Sequence, residues 1–77
     1  MNRTAAGNEY NIHLLPFPPS VWGAVVALAD GTYDVFLNDG LPRDLQRKAL
    51  LHELRHIDKG HLYNDILTVE DMEREAI

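Results

Sequence analysis

No cysteine occurs in the 77 residues. That removes disulfides and thiolate zinc sites together, so any zinc site has to be built from His, Asp or Glu. It also suits a reducing cytosol. Cations are few: seven Lys and Arg stand against twelve Asp and Glu, for a net charge of −5. The seven form no run, which argues against a nucleic-acid backbone as partner. No stretch approaches the roughly eighteen apolar residues of a membrane span. The first ten residues carry no apolar core of a signal peptide. The expectation is a cytoplasmic chain with no membrane partner. Residues 1–77 make one small domain, which buries only about 60% of the surface it exposes unfolded. A metal ion is a common supplement to so thin a margin.

What is present divides into a strand half and a helical half. Residues 1–7 are small and polar and are expected to be disordered. Residues 10–15 suit a first strand. Pro16-Phe17-Pro18-Pro19 then stops regular structure, because proline gives no N–H to a ladder or a helix. Residues 21–29 and 32–37 read as two strands joined at Asp30-Gly31, a pair that favours a two-residue type I′ hairpin turn. Tyr33, Val35 and Leu37 share one face of the second strand, and Asp34, Phe36 and Asn38 the other. Pro42 opens a helix that should run to about Lys59 and stop at Gly60. Residues 62–67 are ambiguous. Thr68 can cap a second, acidic helix, with Asp71 three residues on in a capping-box arrangement.

The first helix carries His52-Glu53-Leu54-Arg55-His56, an H-E-x-x-H motif. Residues i and i+4 share a helix face, so both imidazoles can point at one metal ion. Glu53 lies beside them, where it could act as general base on a zinc-bound water. Leu50, Leu54 and Ile57 form an apolar stripe. Leu45, Ala49, His52, Glu53 and His56 form an adjacent one, so the histidines border the core. Against this stands an ordinary amphipathic helix with two exposed histidines, since short motifs also arise by chance. A catalytic zinc takes three protein ligands and keeps one open position. His61, Asp65 and the acidic group Glu70, Asp71, Glu73 and Glu75 are all open candidates for the third. A metzincin would need Gly at 59 and His at 62; Lys59 and Leu62 exclude it.

The residues Tyr33-Asp34-Val35-Phe36-Leu37-Asn38-Asp39-Gly40-Leu41, Ala49-Leu50-Leu51-His52-Glu53-Leu54-Arg55-His56-Ile57, Gly60-His61 and Glu73-Arg74-Glu75-Ala76 resemble the ImmA/IrrE-like zinc metallopeptidases of bacteria, phages and mobile elements. The resemblance spans roughly positions 21–77. It implies an α+β, minimal zincin-like domain: a short antiparallel sheet, an H-E-x-x-H helix and a second, C-terminal helix. It implies a gluzincin-like ligand set of His52, His56 and Glu73, with Glu53 as base and Zn2+ as cofactor. Glu75 and His61 are the fallbacks for the third ligand. The substrate it implies is a protein or peptide, such as a repressor-type regulator.

A peptide substrate of a zincin pairs with the edge strand beside the motif helix, here residues 32–38. Tyr33 and Tyr63 are candidate oxyanion donors, though each is more often a packing tyrosine. The alternative to a peptidase is a non-catalytic, zinc-stabilised protein-binding module on the same scaffold. Trp22 reads as a core or interface aromatic, His13 as an exposed strand residue, and Arg55 and Asp58 as solvent-facing.

Overall fold

A computed structural model of the chain describes residues 3–5, 7–58 and 65–75. Strands β1 (Arg3–Ala5), β2 (Asn8–Leu15), β3 (Val21–Ala27) and β4 (Tyr33–Asn38) come first; helix α1 (Arg43–Asp58), strand β5 (Asp65–Thr68) and helix α2 (Val69–Glu75) follow. The five strands form one sheet in the order β1-β2-β4-β3-β5. The result is a small α+β fold in which α1 packs across β3 and β4. No helix among the described residues is long and apolar enough to cross a membrane.

The sheet is mixed, not antiparallel as expected. β2 runs parallel to β4, from Tyr10 opposite Tyr33 to Leu15 opposite Asn38. The proline segment is the cause. Residues 16–20 do not turn back into a hairpin but cross over the end of β4, so that β3 enters antiparallel on its far side. Asn38 pins this strap. It is 3% exposed. Its Nδ2 donates to the Pro18 carbonyl at 3.2 Å and the Val21 carbonyl at 2.8 Å. Its Oδ1 accepts from the Gly40 amide at 2.9 Å. The Asp39 amide adds a 2.9 Å bond to the Leu15 carbonyl. Asn38→Ala deletes three of these bonds inside the fold. At about 1 kcal/mol each it should cost about 3 kcal/mol of stability. Urea unfolding measures this, and a loss well under 1 kcal/mol would show that the strap holds without its pin.

Two local expectations also change. Arg3–Ala5, within the segment expected to be disordered, pairs antiparallel with residues 8–10 as β1. Gly7, at φ 83°, makes the tight reversal possible. The β3–β4 connection is a three-residue loop, not a two-residue turn. The Gly31 amide bonds the Leu28 carbonyl at 3.1 Å and the Leu28 amide bonds the Thr32 carbonyl at 2.9 Å. Gly31 alone supplies the left-handed residue such a loop needs, at φ 88°. Asp30 caps the reversal, accepting from the Thr32 amide at 3.0 Å and its hydroxyl at 2.6 Å.

The core lies between sheet and α1. Tyr33, Val35 and Leu37 fill it from β4, as their alternation predicts, with Tyr10, Val25, Ala49, Ile57 and Leu67. The ambiguous segment after α1 supplies Leu67 through β5, which pairs antiparallel with β3. The second helix starts where the sequence puts it. Thr68 Oγ1 accepts from the Asp71 amide at 3.2 Å, and Asp71 Oδ2 accepts from the Thr68 amide at 3.0 Å.

Candidate metal and active site

α1 begins just after Pro42, whose carbonyl accepts from the Leu45 and Gln46 amides. Its buried residues are Ala49, Glu53 and Ile57, spaced four apart on one face. All three are 0% exposed. The core stripe therefore runs through Glu53 rather than beside it. Leu50 and Leu54, expected at its centre, are only partly buried. Ala49 explains the shift: with only a methyl side chain, it lets this face approach the sheet most closely. His52 and His56 flank the stripe on one side and are half-buried.

The two histidines meet. His52 Nε2 and His56 Nε2 are 3.1 Å apart. Their ring centroids are 4.9 Å apart with the planes at 65°. Neutral imidazole has one N–H and one lone pair, so one ring donating its Nε2–H to the Nε2 lone pair of the other accounts for this distance. A metal ion held between the two lone pairs would replace that proton. Two nitrogens bound about 2.05 Å from a tetrahedral zinc lie about 3.3 Å apart. The spacing of the pair is close to that of a two-point zinc chelate, and equally that of a hydrogen-bonded imidazole pair.

The third ligand is less complete. Glu73 is exposed on α2 and lines the same cavity as His52. Among the described residues, however, no three His, Asp or Glu side chains form a group that could hold a metal. His61 lies outside the described residues, as do the side chains of Asp65 and Glu75. Asp71, the capping-box partner of Thr68, also interacts electrostatically with His52. Its own carboxyl is held below the ordinary carboxylate range, chiefly by the Thr68 amide and then by the Thr68 hydroxyl; partial burial opposes this, and Arg74 and His52 assist.

That capping box makes a pH prediction. The folded pKa of Asp71 lies below its unfolded value, so its stabilisation is present at neutral pH and lost as pH falls below about 4. Asp71→Ala should cost about 1 kcal/mol at pH 7 and progressively less in acid. Urea midpoints at pH 7 and pH 3 give the comparison; an equal cost at both would contradict the role.

The cavity has a volume of about 510 Å³. α1 walls it with Lys48, Leu51, His52 and Arg55, and α2 with Val69, Met72 and Glu73. Trp22 closes it from β3. Strict alternation puts Trp22 on the sheet face away from the helices, because Gly23 and Val25 face the core. The register against β5 slips between Val21 and Gly23. Trp22 is the extra residue of this bulge, and bulges re-aim side chains. Gly23 follows because a Cβ there would sit 2.5 Å from the Phe36 carbonyl oxygen. Neither bulge nor re-aimed Trp22 has a signal in the periodicity; the isolated Gly23 inside a strand is the one hint.

Other expectations move. β4 lies between β2 and β3, so residues 33–38 are not an edge and cannot take a substrate strand. The edges are β1 and β5, and β5 leads directly into the α2 wall of the cavity. Tyr33 is 4% exposed within the core. Tyr63 lies outside the described residues. His13 is remote from the motif: it pairs with Asp34 at 3.0 Å and stacks on Phe36. Arg55 and Asp58 are exposed, as expected. No protein-family model, curated protein or solved structure matches the chain.

Proposed function

We propose that the chain is a zinc-dependent peptidase of minimal zincin-like type, with His52 and His56 holding the metal, Glu73 as third ligand and Glu53 as general base. One observation carries this reading: two imidazole nitrogens stand 3.1 Å apart on a helix whose intervening glutamate is wholly buried. A carboxyl group taken out of water is expensive to keep, and an apolar residue would serve a core helix better. Buried ionisable side chains in or beside a cleft are candidates for functional groups.

The donor set suits zinc: two neutral imidazoles are borderline ligands, and a carboxylate from α2 completes a gluzincin-type set. Zinc, when bound, supplies Lewis-acid polarisation and brings the pKa of water down towards about 7. Glu53 takes the proton onto a carboxylate oxygen and returns it to the departing amine. Trp22, Leu51 and Met72 hold the peptide beside His52 and keep water from it. β5 replaces β4 as the strand that can pair with an extended peptide. The substrate is a protein, with a repressor-type regulator the choice that the family resemblance favours. The compartment is the cytoplasm.

The second reading is a non-catalytic binding module, favoured by the absence of a three-ligand group among the described residues. Metal analysis of untagged protein, followed by a fluorogenic peptidase assay with and without chelator, separates the two. The peptidase reading expects about one zinc per chain, in line with a single three-ligand site, and chelator-sensitive cleavage. Zinc without cleavage selects the module, and no zinc uptake near neutral pH defeats both.

A further inference from the structure

The cavity beside His52 is chemically divided. Trp22, Leu51, Val69 and Met72 make its middle apolar, while Lys48 and Arg55 place two cations on the α1 wall. Lys48, Leu51 and Arg55 follow one helix face over two turns, so the leucine is held between the charges. Leu51 is 53% exposed. Lys48 and Arg55 are exposed too, and neither makes a salt bridge with a described residue. The anion lining the cavity is Glu73. Its charge is outnumbered by those of Lys48 and Arg55, so the rim keeps a net positive charge whether or not a metal is bound. What remains is an apolar slot with a positive rim, in a chain whose net charge is −5.

We infer that this groove is a recognition subsite for an acidic, apolar peptide segment. One large apolar side chain enters between Trp22, Leu51 and Met72. Carboxylates beside it in the peptide meet Lys48 and Arg55. That the bound segment is a substrate rests on the peptidase reading above; the subsite itself does not. Burial of the apolar side chain supplies affinity, at about 25 cal/mol per Å² of apolar surface. The rim supplies selection, because a basic segment puts like charges in place of opposite ones.

Trp22 is the single tryptophan, so tryptophan emission comes from the groove wall. Three capped peptides serve as probes: Glu-Glu-Leu-Glu-Glu, Lys-Lys-Leu-Lys-Lys and Glu-Glu-Ser-Glu-Glu. Each is titrated at low salt into the full chain with excess EDTA. The first should change Trp22 emission saturably, and the other two should bind at least about tenfold more weakly. Substituting both exposed cations, Lys48→Glu with Arg55→Glu, should reverse the order of the first two. Equal affinities, or no emission change with any peptide, overturn the subsite, and the three-peptide comparison on the parent chain decides this whether or not the double variant folds. With metal removed, hydrolysis plays no part in this measurement. Selective binding without zinc-dependent cleavage upholds the subsite and defeats the peptidase reading. Cleavage indifferent to these sequences does the opposite.

Discussion

Glu53→Gln is expected to lower peptide hydrolysis by a factor of about 100 to 10,000, the usual contribution of a general acid–base group. The amide keeps the volume and shape of the carboxylate but cannot accept the proton. Zinc affinity should stay within a few-fold, because the side chain is not counted among the ligands. Stability should hold or rise, since an ionisable group inside the fold gives way to a neutral one of the same size. The three readouts separate the possibilities. Unchanged cleavage would remove Glu53 from the mechanism. Loss of folding along with activity would make it a structural residue whose burial has nothing to do with chemistry.

His56→Ala is expected to weaken zinc binding by more than about 100-fold, beyond the cost of altering an outer-shell partner. Alanine is the best helix former, so α1 should persist, and circular dichroism can verify it. His13→Ala is the matched control. It removes a histidine paired with Asp34 and stacked on Phe36, remote from α1, and should leave zinc affinity unchanged. If both substitutions weakened zinc equally, the metal would be held by scattered surface imidazoles, and the 3.1 Å pair would be incidental.

The parts of this molecule legible in the sequence are those governed by neighbours along the chain. Alternation on β4 placed Tyr33, Val35 and Leu37 inside. The four-residue spacing brought His52 and His56 together. Thr68 and Asp71 marked the start of α2. What the sequence concealed depends on partners far away along the chain. The parallel pairing of β2 with β4 needs the strap to cross a strand not yet made. Glu53 lies at the centre of the buried face because of where the sheet meets α1; its helical phase is as compatible with the border. Trp22 faces the cavity because β5 pairs out of step with β3, a register no local pattern encodes. The proposed third metal ligand is the least legible of all, because four acidic residues of one short segment compete for the role and, among the described residues, no group of three forms that could hold a metal.

The strap over β4 also bears on the order in which the chain folds. The β3–β4 hairpin and α1 close from contacts near in sequence, and such contacts form early. β2 can complete its parallel pairing only after β4 is in place and the proline segment has been drawn across its end. β5 closes from further still, on β3, and brings α2 with it. The histidine pair is therefore present as soon as α1 is helical, whereas the walled cavity exists only once the last strand has docked. A chain halted before that step would have the histidine pair but neither α2 with Glu73 nor a place for a peptide. In the proposed site, full metal ligation and peptide recognition thus both wait on β5, and destabilising that strand should weaken the two together.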